Sequence, residues 1–184
     1  MTPDDLEALI AARRSSMLID AAKEVDAHTV ERIVVSAQWA PNHRRTWPLR
    51  VAIITGDSRS TLGNTIADAM AMHGDDDAKV TKTRGKFMRS PVVLVVASAQ
   101  GATDNESEEN KYAVAAGIQN MLLMAHSCGL AALWGSPAKG ANDAITRLCT
   151  MDTTDHVMGL IYVGYPTQDA PQVDRPTPRI TRLH

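Results

Sequence analysis

Pro91-Val92-Val93-Leu94-Val95-Val96-Ala97 is an unbroken apolar run rich in β-branched residues, and its reading decides the fold. A strand with one wet face alternates apolar and polar residues, so a run without alternation marks a strand covered on both faces. Such a strand needs a layer above it and a layer below. On the N-terminal side, Leu49 to Thr55 reads as another buried strand, followed by a helix over Ser58 to Met72, a charged break at His73 to Asp77 and a helix ending near Met88. On the C-terminal side, Gly101 to Glu108 is a polar connection. Then comes the longest helix, about Glu109 to Cys128, apolar nearly all round and therefore expected to be central. Gly129 is its stop. Leu130 to Gly135 is short and extended, Ala141 to Leu148 a short helix, and Val157 to Tyr165 a further buried strand.

Farther out, Thr2, Pro3 and Asp5 form a capping box that opens a first helix, with Leu6, Leu9 and Ile10 on one face and Arg13-Arg14-Ser15-Ser16 at its end. A second helical pattern covers about Thr29 to Ala37, and Trp39 to Pro48 is an irregular loop bracketed by prolines. The tail from Pro166 carries four prolines and is not regular throughout. Alternating strands and helices without internal repeats give a three-layer α/β or α+β domain. At 184 residues this is one domain, 1–184, with no room for a separate cofactor domain.

Composition narrows the function. A formal net charge of -2 gives no electrostatic footprint for nucleic acid or an anionic membrane. No window is apolar enough to span a bilayer, and Met1-Thr2-Pro3-Asp4-Asp5 lacks the basic start and apolar run of a signal peptide, so a cytoplasmic protein with two reduced cysteines is expected. Neither GxGxxG, GxxxxGK[ST] nor GxSxG is present. The six histidines show no i, i+4 pair and no clustering with cysteine, so no metal site is expected.

Three segments carry unusual chemistry. Arg13-Arg14-Ser15 offers two guanidinium forks and a hydroxyl, a set that matches phosphate oxygens, although arginines at a helix end also complement its dipole. Ala40-Pro41-Asn42-His43-Arg44-Arg45-Thr46-Trp47-Pro48 packs polar donors and an indole into a loop before a buried strand. Gly129-Leu130-Ala131-Ala132-Leu133-Trp134-Gly135-Ser136 has glycines that permit close approach of backbone to a planar ligand, or simply stop a helix and turn the chain.

In this order, and together with Ser90-Pro91, Gly159-Leu160-Ile161-Tyr162-Val163-Gly164 and Pro176-Thr177-Pro178, the segments resemble the nitroreductase family, in particular its minimal bacterial YdjA-type members. The resemblance spans nearly the whole chain. It implies an α+β fold with a mixed, mainly antiparallel sheet sandwiched by helices, in an intertwined homodimer whose tail, about 166–184, extends onto the partner subunit. It implies FMN at the dimer interface, with NADPH or NADH as electron donor and a small acceptor such as a nitro compound or quinone. By position, Arg13, Arg14 and Ser15 would bind the phosphate and ribityl chain. His43 and Trp47 would face the flavin from the other subunit, and Trp134, Gly135 and Ser136 would line the ring and phosphate region; whether the basic tail residues Arg179 or Arg182 contact the phosphate is left open by the resemblance. The hydride would pass through flavin N5, so no catalytic side chain is named. Trp47 departs from the pattern, which has an amide or acid there; an indole donates a hydrogen bond but accepts none. The alternative on the same fold is a low-turnover FMN-binding protein for storage or sensing.

Overall fold

The computed structural model describes residues 2–171 and 173–184. The Val92 run is the strand β2 (Val92–Ser98), every residue of which is buried. It lies between β1 (Leu49–Ile54) and β4 (His156–Gly164), and β3 (Ala131–Gly135) closes the far edge, giving the order β1-β2-β4-β3 with every pair antiparallel. The parallel component of the expected mixed sheet is confined, among the described residues, to one isolated bridge between Ser15 and Ala132. β1 is half-exposed rather than buried, because an edge strand has one neighbour and Ile53 faces out.

The two sheet faces carry separate cores. Leu62 and Ile66 of α3 (Ser58–Met72), Val80 of α4 (Asp77–Arg84), Phe87 and Ile145 of α6 (Asn142–Leu148) cover the face of Val93, Val95 and Tyr162. Val30 and Ile33 of α2 (Ala27–Ser36) and Val114, Ile118 and Met121 of α5 (Asp104–Ser127) cover the face of Leu94, Val96 and Ile161. Helices on both sides of one sheet are the three layers that the β2 run required.

Three local readings change. α5 begins at Asp104 rather than Glu109: the side chain of Thr103 accepts the Glu106 N–H, and Asp104 and Glu106 place negative charge at the helix N-terminus. The polar segment is thus a capped first turn. α4 ends at Arg84, and a separate 3-10 turn over Lys86–Arg89 inserts Phe87 into the core. α5 is buried along Val114, Ile118, Met121 and Ala125, but its opposite side, with Tyr112 and Ala116, faces solvent. The capping box of α1 (Pro3–Ala12) is present, with Thr2 and Asp5 exchanging hydrogen bonds, yet α1 buries no residue at all.

Candidate functional site

The chain leaves α1 as Arg13-Arg14-Ser15-Ser16 and runs beside the start of β3, where the Ser16 N–H donates to the Ala132 carbonyl at 3.0 Å. Arg14 serves the helix end, its Nη1 donating to the carbonyls of Ala11 and Arg13. Its Nε, and the Nε and Nη1 of Arg13, are buried without any hydrogen-bond partner. Buried donors are almost always paired, so three orphaned guanidinium nitrogens in two adjacent residues need a reason. None of the described ion pairs involves either arginine. Burial, and then the neighbouring guanidinium groups of Arg175 and Arg14, lower the Arg13 pKa from its usual value. Arg14, Ser15 and Arg175 line a common cavity of about 380 Å³, and a groove of about 520 Å³ beside it runs from Arg14 past His126 to Asp169. Three cations converging here with one carboxylate at the margin make a site that fits a phosphomonoester dianion. Arg175 was missed in the sequence because 160 residues separate it from Ser15; its nearness is a product of the tail folding back. Arg179 and Arg182 are exposed farther along the tail.

Trp134, Gly135 and Ser136 lie at the opposite end of β3 from Ala132. The Trp134 indole packs over Gly159, where any Cβ would collide with it, and its N–H donates to the Met158 carbonyl at 3.1 Å. With its donor engaged internally, Trp134 offers a ligand only its ring face. Ser136 is exposed.

His43 and Trp47 sit on a different part of the protomer. Their loop rests on the N-terminal half of α5, and its conformation is costly: Arg44, Arg45 and Trp47 have φ of 57°, 54° and 51°. Left-handed backbone costs about 1–2 kcal/mol for each such non-glycine residue. Four hydrogen bonds oppose this. The Trp47 N–H donates to Asn42 Oδ1 (2.9 Å), Asn42 Nδ2 to Thr46 Oγ1 (3.0 Å), Thr46 Oγ1 to Asn110 Oδ1 (2.5 Å), and Asn110 Nδ2 to the Ala99 carbonyl (3.2 Å). At about 0.5–1.5 kcal/mol each, they are of the size needed to hold the strained loop. The loop projects His43 near Glu109, with 4.0 Å between Nε2 and the carboxylate, and leaves both His43 and Trp47 exposed. A small cavity of about 60 Å³ lies between Trp47, Ala37 and Gly117.

The eight residues proposed from the sequence therefore fall in three places: Arg13–Ser15 by the start of β3, Trp134–Ser136 at its other end, and His43 with Trp47 on the loop over α5. The Arg14 groove reaches α5 at His126, whereas the Trp47 cavity reaches it no nearer than Gly117. Nine residues of helix at 1.5 Å per residue separate them by roughly 14 Å along the axis. Within one protomer the Arg14 groove and the Trp47 cavity do not meet. Among the described residues, no set of three His, Cys, Asp or Glu side chains could hold a metal ion, and no helix is long and apolar enough to cross a membrane.

A protein of Escherichia coli (strain K12) named "Putative NAD(P)H nitroreductase YdjA" is 25% identical over 182 residues, which cover 97% of this chain and 98% of that protein. The crystal structure of a nitroreductase-like family protein from Bacillus cereus superposes with a TM-score of 0.79 at 24% identity, over 97% of this chain and 94% of that one. A nitroreductase with bound FMN from Bacteroides fragilis gives a TM-score of 0.76 at 21% identity over the full length of both chains. The model of the nitroreductase family matches residues 10–165, from the end of α1 through β4, and the chain belongs to the nitroreductase family.

Proposed function

We propose that this protein is an FMN-dependent oxidoreductase that takes electrons from NADPH or NADH and delivers them to a small acceptor, and that it works as a homodimer with the flavin between subunits. The observation that carries the reading is the set of buried, unpartnered nitrogens on Arg13 and Arg14, beside a cavity that Arg14 shares with Ser15 and Arg175. These residues would hold the FMN phosphate, with Arg175 joining the arginines named from the sequence. When bound, FMN would supply two-electron transfer between the nicotinamide and an acceptor such as a nitro compound or quinone. FMN in the Bacteroides fragilis relative and the NAD(P)H of the Escherichia coli relative's name support this choice.

The chain's own residues bind and orient. Trp134 would present its ring face to the flavin edge, with Gly135 and Ser136 beside it. His43 and Trp47 would come from the second subunit, which explains why their loop lies so far from Arg13 in one protomer. Several large apolar side chains are uncovered in one protomer: Leu6 and Ile10 of α1, Val35 of α2, Trp39 at 84% exposure and Tyr112 at 68%. Exposed apolar side chains of this size and number support an association surface. Beyond Arg175, nine tail residues remain, enough at about 3.3 Å each to reach about 30 Å onto a partner.

One exposed pocket, used first by the nicotinamide and then by the acceptor, fits the missing GxGxxG and predicts parallel initial-rate lines when NADPH and acceptor are varied. Intersecting lines would count against a shared pocket.

A further inference from the structure

We infer that Asn110 and Thr46 are positioning residues: through Asn42 they form a one-way hydrogen-bond chain that fixes the backbone of Trp47 and so aims His43 and Trp47 at the second subunit. The inference rests on the proposed intersubunit site for its consequence, but the chain itself is independent of any ligand.

The direction of the chain follows from its fixed end. The Ala99 carbonyl can only accept, so the amide that bonds it must present Nδ2, and Asn110 Oδ1 then faces Thr46. Facing an acceptor, the Thr46 hydroxyl must donate, which leaves its lone pairs for Asn42 Nδ2. Asn42 Oδ1 is thereby turned to the Trp47 N–H. Every donor meets an acceptor, with no choice of orientation left. The base of the loop is pinned independently, since the Ala99 N–H donates to the Pro48 carbonyl at 2.8 Å. Ala99 is thus a common anchor for both ends of Thr46–Pro48.

Asn110 is where this arrangement shows its purpose. Asparagine is a poor residue inside a helix, and burying its amide needs partners. Asn110 is 3% exposed, and both atoms of its amide are engaged outside α5. Packing alone would be served by an apolar residue there, as at Val114 one turn later. What the amide adds is a polar link from the body of the protein to a loop held in left-handed backbone at Arg44, Arg45 and Trp47.

The chain predicts which substitutions matter. Thr46→Val keeps the shape and removes the hydroxyl; Thr46→Ser keeps the hydroxyl. Asn110→Asp replaces the donor to Ala99 by an acceptor and breaks the chain at its fixed end. Asn42→Asp keeps the oxygen that receives the Trp47 N–H and removes the Nδ2 bonds to Thr46 and to the His43 carbonyl. Amide hydrogen exchange over residues 42–48 of the full-length protein reads the positioning directly. Exchange at Trp47 should speed up at least tenfold in Thr46→Val and Asn110→Asp, while Thr46→Ser matches wild type and Asn42→Asp lies between. On the same samples, Thr46→Val should lower kcat/KM for the acceptor by about tenfold, with Thr46→Ser restoring it and the circular dichroism spectrum of the fold unchanged. Equal Trp47 protection in wild type, Thr46→Val and Asn110→Asp would overturn the inference. So would a Thr46→Ser variant as impaired as Thr46→Val. If wild type fails to bind FMN, the cofactor reading falls, and the exchange result still decides whether the chain positions the loop.

Discussion

Replacing Arg13 by methionine should move the stability of the cofactor-free protein and its affinity for FMN in opposite directions. In the free protein Arg13 buries Nε and Nη1 without partners and lies beside Arg14 and Arg175. An unsatisfied buried donor costs about 1–3 kcal/mol, and the half-exposed position of Arg13 argues for the lower end. Methionine fills much of the same volume with no donor and no charge. A gain of about 1 kcal/mol raises the melting temperature by about 2–4 °C in a domain of this size. With FMN present the sign reverses. A lost bidentate guanidinium–phosphate contact costs about 1.5–3 kcal/mol, or about 10- to 150-fold in Kd. Riboflavin, which has no phosphate, should bind wild type and Arg13→Met alike. Thermal melts with and without FMN, and fluorescence titrations with both flavins, measure all three quantities. A variant that melts below wild type without cofactor, or that keeps wild-type affinity for FMN, refutes the reasoning.

Other consequences follow from different parts of the molecule. Tyr112→Lys combined with Ala116→Glu places charge on the uncovered side of α5 and should give a monomer by sedimentation velocity that has lost FMN; a dimer that persists places the interface elsewhere. Gly159→Ala sets a methyl group against the Trp134 indole, so the indole should leave its Met158 carbonyl, with a changed near-ultraviolet circular dichroism spectrum and a fall in stability of about 1–3 kcal/mol; an unchanged spectrum contradicts the packing. Burial pushes the Cys149 thiol up from 9.0 to about 11. The folded state holds that proton longer than the unfolded chain, so the contribution to stability is complete below about pH 9 and is lost as pH rises through about 11. The gap in urea midpoint between wild type and Cys149→Ala should therefore narrow over that window, and a constant gap argues against it.

Much of this architecture was legible because single segments carry strong local signals. Val92–Ser98 has no polar residue until its last position and is buried throughout. The Thr2–Asp5 box and the Gly129 stop, at φ +72°, are short-range devices whose residues sit within one turn of each other. Arg13, Arg14 and Ser15 are likewise adjacent in the chain, so they could be named as one candidate phosphate site without knowing the fold. The start of α5 was hidden because Thr103, Asp104 and Glu106 are polar by composition, yet they are the residues a helix N-terminus selects. Asn110 and Arg175 could not be read. One is an amide within an apolar helix and the other an arginine in a proline-rich tail, and each acquires meaning only from a partner brought near by the fold. Nor could α5 be read correctly on its solvent side: an all-round apolar helix suggests burial within the protomer, whereas Tyr112 and Ala116 remain uncovered in it.

The most direct test of the central claim is the visible spectrum of the purified protein incubated with FMN and passed through a desalting column, recorded before and after NADPH or NADH is added under nitrogen. The account predicts a yellow protein that bleaches with one of the two nucleotides and recovers its colour when an acceptor is admitted. A protein that emerges colourless contradicts the assignment of Arg13, Arg14, Ser15 and Arg175 to a flavin phosphate, and a yellow protein that neither nucleotide bleaches contradicts its assignment as an oxidoreductase.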